Sequence, residues 1–351
     1  RAENVEGSMD SDYSLYIDVI YTDGTPSWGH QVQFSTGTHD WQELKLLVIP
    51  EKEIRQISCY ALFRYKKGSV WFDDITIQKS VLRTGMLRLD GLSVQTQGTI
   101  HPSDTTQKLK TETMAVEMEP TSGAIVSLRI NDKERILADT AAGFLVRDVS
   151  AHSGYYAFQD GQCEPLSCKL NINIQETDSA IQIKGNLVDL IGKPRAMNLL
   201  YAIPVDVLGG QWGDHLSESS PLSDPDEYHS WIQIGTGSNG QMSRYPFACI
   251  SHDNFGLALG IDMGMPCQWR LGYSTGTRLF YLSLDFGLSP LTKNFPSQAN
   301  FQMVMYAIDP QWSFRSAAER YYQIFPDYFA VRSPDQGIWM PKAVADKYTD
   351  E

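Results

Sequence analysis

Through most of the chain, apolar and polar positions alternate with the two-residue period of a strand. In residues 13–21, Leu15, Ile17, Val19 and Tyr21 alternate with polar or mixed neighbours, and Asp23, Gly24 and Pro26 then supply turn chemistry. Similar runs follow over 29–35, 41–50, 55–68 and 69–79. This is the pattern of an antiparallel sandwich or jelly roll, although it gives five strands where a two-sheet jelly roll needs about eight. From residue 86 a second β region begins. Its strands recur through 169–192, 197–207, 247–262, 278–289 and 299–309, too many for a small sandwich and suited to one large two-sheet domain. The helical period is confined to 314–332. There Phe314, Ala317, Ala318, Tyr321, Ile324 and Phe325 fall on one side, Ser313 is placed as N-cap and Pro326 as the stop. The expected architecture is all-β, with a small partial sandwich over 1–80, a large one over 86–311 and a helical tail over 312–351.

Composition narrows the function. Apolar residues make up 42% and charged residues 20%, with no run of eighteen apolar residues that could span a bilayer. The formal charge of −13 argues against nucleic acid, which demands clustered Lys and Arg. Five cysteines match no zinc spacing. Cys163 and Cys168 are close enough in sequence to bridge a loop, a pairing the spacing leaves open. Cys59, Cys249 and Cys267 lie in apolar runs and read as small buried hydrophobes.

Candidate chemistry concentrates in residues 209–247, a long polar segment between strands holding Trp212, Asp214, His215, Glu218, Asp224, Asp226, Glu227, His229 and Trp231. One reading is a sugar cleft, with Trp212 or Trp231 stacked on a pyranose and the carboxylates accepting hydroxyl hydrogen bonds. Another is acid/base work by a His and a carboxylate. The third is a solvated loop over a sheet edge. In the first domain Trp28 and Trp41 are candidate sugar platforms, whereas Trp71 is expected in the core. His30, His101 and His252 are isolated and read as turn or surface residues. Asp285-Phe286-Gly287 lacks the companions of a kinase triplet and reads as a strand end and turn. Asp73 and Asp74 would point to opposite faces of a strand. One could then reach a hard cation, or both could be solvated edge charges.

Two resemblances extend this picture. The stretch "HDWQELKLLVIPEKEIRQISCYALFRYKKGSVWFDDITI" resembles the second half of the jelly-roll carbohydrate-binding modules of secreted glycoside hydrolases, over residues 13–79. That resemblance implies a structural calcium ion held with the help of Asp73 or Asp74. The succession "TSGAIVSLRIND", "SRYPFACISHDNFGLALGID", "DFGLSP" and "WSFRSAAERYYQIFPDYFAVR" resembles the galactose-mutarotase-like supersandwich that precedes a catalytic barrel in large secreted glycoside hydrolases, over residues 86–341. Together they imply an extracellular or cell-surface, non-catalytic region that binds carbohydrate and supports a downstream catalytic domain, with the sequence stopping where that domain would start. The alternatives are an adhesive surface protein that self-associates through its sandwiches, and a mutarotase-like enzyme that would set His215 or His229 beside an acidic residue.

Overall fold

The computed structural model describes residues 1–46, 48, 54–78, 86–95, 105–137, 143–151, 153–223, 226–265 and 267–332. Within them the protein is all-β, with one α-helix and two 3-10 turns. The expectations for His101, Asp224 and the tail beyond residue 332 lie outside the described residues.

The first unit is a small sandwich of two three-stranded antiparallel sheets. One orders Gly37–His39, Ala2–Val5 and Ser69–Val70, the other Pro26–Gln33, Tyr13–Tyr21 and Ile54–Phe63. They face each other across Ala2 and Val5 from one and Tyr13 and Phe63 from the other, with Phe34 and Phe72 completing the cluster. The Tyr13 ring stacks on Phe34 at 5.0 Å and meets Phe63 edge-on at 5.5 Å. Two expectations change here. Residues 41–46 and 48 form no strand, yet Leu46 and Val48 still pack on Ile17, Val19 and Tyr21, so their alternation records burial rather than pairing. The last strand ends at Val70, and Asp74, at φ 51°, could not continue an extended run. Trp71, expected in the core, is 43% exposed beside the N-terminus, with the Arg1 guanidinium 5.2 Å above its ring. His30, expected at the surface, is buried with its Nε2 at 2.8 Å from Ser27 Oγ.

The larger sandwich contains a six-stranded and an eight-stranded antiparallel sheet. The six-stranded sheet runs Tyr156–Ala157, Gly143–Asp148, Arg195–Pro204, Leu279–Leu288, Gln268–Ser274, Glu227–Tyr228. The eight-stranded sheet runs Gln162–Cys163, Cys168–Glu176, Ile181–Asp189, Gln298–Ala307, Phe255–Ile261, Phe247–His252, Gln211–Gly213, Ser220–Pro221. Strand alternation decides which side chains meet. Met197, Leu199, Tyr201 and Ile203 of one sheet, with Phe280, Leu282 and Leu284, pack on Ile181, Ile183, Leu257, Leu259, Met303 and Met305 of the other. Asp285-Phe286-Gly287 falls at the C-terminal end of the strand Leu279–Leu288, one residue before it stops ahead of the turn at 290–291.

The helix Phe314–Ile324 covers the outer face of the eight-stranded sheet. Phe314, Ala317, Ala318, Tyr321 and Phe325 pack on Phe247, Cys249, Ala258, Val304 and Tyr306, the face its periodicity predicts. Ser313 precedes the helix, but its hydroxyl caps no helical N–H and lies 3.7 Å from Cys249 Sγ.

Candidate functional site

The same alternation that buries the inter-sheet core sends the next residues of the six-stranded sheet to its outer face. Asn198 pairs across strands with Asp285, and Arg270 with Ser283, so four polar side chains meet on three adjacent strands. Two hairpins cover them. Met86–Leu89 and Leu92–Gln95 are joined at Asp90-Gly91, both at positive φ (53° and 72°), as a two-residue primed turn requires. Trp231–Gln233 pairs with Gln241–Ser243. The first hairpin delivers the Asp90 carboxylate to Arg270, whose Nε and Nη2 donate to Oδ1 and Oδ2 at 2.6 and 2.8 Å. Arg270 Nη1 donates to Asp285 Oδ2 at 2.7 Å, and Nη2 donates to Ser238 Oγ at 2.7 Å. Neither side chain of the Arg270–Asp90 pair has any solvent exposure. Desolvation opposes ionisation of both Arg270 and Asp285. The charges and hydrogen bonds of Asp90 and then Asp285 nevertheless hold the guanidinium well above its ordinary pKa, and Arg270 in turn holds the Asp285 carboxyl below its own. Tyr155 Oη extends the network, donating to Asn198 Oδ1 at 2.7 Å.

Glu227 completes the buried set. It accepts from Tyr281 Oη at 2.6 Å and from Gly91 N–H at 3.2 Å, tying the hairpin tip to the sheet edge. Burial, reinforced by the Asp90 charge, pushes its carboxyl up to about 7. His229 stacks on Trp231 at 3.9 Å between ring centres, and desolvation pushes its imidazole down to about 3, with Arg88 acting in the same direction. A carboxyl that titrates near neutrality beside a phenol has the acidity proton transfer requires. Here, however, its hydrogen-bonded neighbours Tyr281 and Gly91 are the protein's own, and the Asp90-Gly91 hairpin tip lies against it.

Residues 209–247 therefore do not converge on one cleft. They supply Gln211–Gly213 and Ser220–Pro221 to one sheet edge, Glu227–Tyr228 to the edge of the other, and the hairpin above its face. Trp212 and Trp231 are 2% and 0% exposed, which removes both as sugar platforms. Trp212 belongs to the inter-sheet core, its Nε1 donating to Asp214 Oδ2 at 2.6 Å, while Trp231 Nε1 donates to Leu271 O at 3.1 Å. Burial raises the Asp214 carboxyl above its ordinary value. His215 bonds locally to Ser217, and Glu218 is exposed. Alternation did not foretell Asp90, Arg270 and Asp285, although Asp-Gly flanked by Leu89 and Leu92 is a hairpin signal that could have found the first.

The exposed aromatic candidates lie on the small sandwich. Trp41 is 58% exposed and borders an open depression of about 290 Å³ lined by Ser35, His39, Asp40, Trp41 and Gln42. The depression is braced from within. Gln42 Oε1 accepts from Ser35 N–H at 3.1 Å, His39 Nε2 lies 2.8 Å from Ser35 O, and Asp40 Oδ1 accepts from Trp41 N–H at 2.9 Å. His39, Asp40 and Gln42 were not singled out from sequence, because each looks like an ordinary turn residue until the chain folds around Trp41. Trp28, 54% exposed, sits at the bulge opposite Asp18. Near it Gly29 N–H donates to Tyr16 Oη at 3.1 Å, and the Tyr16 and Tyr60 rings lie 6.2 Å apart.

Asp73 and Asp74 are exposed outside any strand, and Asp74 N–H donates to Asp73 Oδ1 at 2.9 Å. Among the described residues no group of three or more His, Cys, Asp or Glu side chains gathers there or elsewhere to hold a cation. No described helix is long and apolar enough to cross a membrane.

No protein-family model matches the chain. The tRNA nuclease WapA of Bacillus subtilis and the tRNA3(Ser)-specific nuclease WapA of Bacillus spizizenii are each 32% identical to it over 85 residues, 24% of this chain. The match spans about 4% of the length of these curated relatives. Among solved structures, a putative aldose 1-epimerase from Escherichia coli K12 aligns at a TM-score of 0.35 and 9% identity, over 58% of this chain and 99% of that one. A galactose mutarotase-like protein from Lactobacillus casei aligns at 0.34 and 11%, over 58% and 99%. The ligand-free α-N-acetylgalactosaminidase NagBb from Bifidobacterium bifidum aligns at 0.36 and 8%, over 63% and 39%. At such scores and identities the likeness says nothing of what this chain binds.

Proposed function

We propose that this chain is a carbohydrate-binding, non-catalytic β-sandwich region of an extracellular carbohydrate-active protein, with the small sandwich holding the glycan and the large one serving as scaffold. The observation that carries the reading is Trp41, an exposed indole at the rim of a 290 Å³ depression whose other walls are Ser35, His39, Asp40 and Gln42. A flat apolar face beside a carboxylate is chemistry that grips a pyranose, the indole stacking on its C–H face while Asp40 accepts from a hydroxyl; His39 and Gln42, bonded to Ser35 and Asp40, hold the wall in shape. In the large sandwich two of the acid/base candidates are spoken for. Glu227 accepts from Tyr281 and Gly91, and His229 lies flat on Trp231.

A glycan array and polysaccharide affinity gels, run with the chain and its Trp41→Ala variant, test this reading. Retention of the parent on at least one polysaccharide, weakened tenfold or more by the substitution (about 1.4 kcal/mol), supports it. Equal retention of the two proteins, or self-association with no glycan bound, overturns it.

A further inference from the structure

Cys163 and Cys168 stand directly opposite each other where the strands Gln162–Cys163 and Cys168–Glu176 pair. Opposed residues of an antiparallel pair lie about 4.5–5.5 Å apart at Cα, inside the roughly 4.4–6.8 Å that disulfides span. Both side chains are buried, and the two thiols lie close enough to shift each other's acidity. The turn between them is fixed from outside. Arg195 Nη1 donates to Leu166 O at 2.9 Å, and Leu190 N–H donates to Ser167 O at 2.9 Å. Arg195 is itself held by Asp148 and Asp189, at 2.8 and 2.5 Å. The pairing thus already sets the two cysteines at a Cα spacing a disulfide can span.

We propose that Cys163 and Cys168 form a redox-active dithiol that closes to an intramolecular disulfide when it meets a low-molecular-weight disulfide such as oxidised glutathione. Cys163 is the attacking sulfur. The Cys168 hydrogen bond outweighs burial and lowers its thiol to about 7, with Arg195 adding a favourable charge, whereas Cys168 is pushed upward. The Cys163 thiolate attacks one sulfur of the oxidant, giving a mixed disulfide and releasing one glutathione thiolate. Cys168, losing its proton to solvent, then displaces the second glutathione. Two cysteine thiols are oxidised by two electrons, and one oxidised glutathione becomes two reduced ones. Access is through the strand Gln162–Cys163, two residues long at the edge of the eight-stranded sheet, the kind of short terminal element that exchanges by local opening.

The test uses the full chain, incubated folded with oxidised glutathione at neutral pH, quenched in acid, unfolded, alkylated and digested with trypsin. The expected result is a peptide between Arg147 and Lys169 that has lost two hydrogens and takes no alkyl group. Alkylatable cysteines fall from five to three. Cys168→Ser should stall as a stable glutathione adduct on Cys163, and Cys59→Ser should oxidise as the parent does. The proposal is overturned if both thiols stay alkylatable, if the parent accumulates the glutathione adduct without closing, or if either cysteine pairs elsewhere in the chain.

Discussion

Replacing Asp90 by Asn separates the charge of the hairpin tip from its backbone requirement. Asn tolerates the left-handed conformation that Asp90 adopts at φ 53°, so the primed turn survives. What changes is the acceptor for Arg270. The carboxylate takes Nε at 2.6 Å and Nη2 at 2.8 Å, and also receives Ser283 Oγ at 2.8 Å. An amide of the same size presents one oxygen and one NH2, so one guanidinium donor faces another donor and the buried charge pair is broken. Asp285 still compensates Arg270 at 2.7 Å, which puts the loss at the lower end of the range for breaking a buried pair, about 3 kcal/mol. For a sandwich of this size that corresponds to a fall in Tm of roughly 6–12 °C. Urea unfolding followed by near-ultraviolet circular dichroism should show the midpoint moving down at unchanged slope. Asp74→Asn, exposed and likewise at positive φ, should stay within about 0.5 kcal/mol of the parent. A loss below about 1 kcal/mol at Asp90 would mean that the hairpin is not seated on Arg270, and the account of the large sandwich as a closed scaffold would fail with it.

Other perturbations probe separate parts of the structure. Glu227 has a folded pKa near 7, above its unfolded value of 4.5, so the folded state binds the extra proton between those values. Its contribution is present below about pH 4.5 and is lost as pH rises toward 7, by about 3 kcal/mol in all, and Glu227→Gln should flatten that part of the stability–pH curve. A curve for the variant that still falls by the parental amount would contradict the assignment. Tyr321→Phe removes the hydroxyl that donates to Ile261 O at 2.6 Å and leaves a buried carbonyl short of a partner, costing about 1–3 kcal/mol in thermal unfolding; no change would show the helix to be loosely docked. The initial rate of glutathione capture by Cys163 should rise with pH through a midpoint near 7, and a midpoint near the ordinary thiol value of about 8.5 would remove the influence of Cys168.

The fold was legible where one physical signal dominated. Strand alternation located Tyr13–Tyr21, Ile54–Phe63 and the long strands of the large sandwich, and helical spacing picked out the buried face of the single helix down to Phe325. It failed where burial and pairing separate. Leu46 and Val48 alternate because they pack on Ile17 and Val19, without belonging to a described strand. The site was read less well because polarity does not reveal depth. Trp212 and Trp231 sit among Gly, Ser and Asp in sequence, yet each indole N–H is satisfied by a local carboxylate or carbonyl, which lets the ring be buried whole. Arg270, in an otherwise ordinary strand, could be recognised only through Asp90, 180 residues away in sequence. Trp28 and Trp41, the platform candidates of the small sandwich, are both exposed, whereas the polar wall of His39, Asp40 and Gln42 depends on a turn that no periodicity encodes.

The most direct test of the division between a binding module and a scaffold is calorimetric titration of one glycan-array ligand into three proteins: the parent chain, Trp41→Ala and Glu227→Gln. The account predicts that Trp41→Ala loses at least tenfold in affinity while Glu227→Gln binds as the parent does. The opposite pattern, with binding or turnover lost at Glu227 and untouched at Trp41, would place the function in the large sandwich and contradict it.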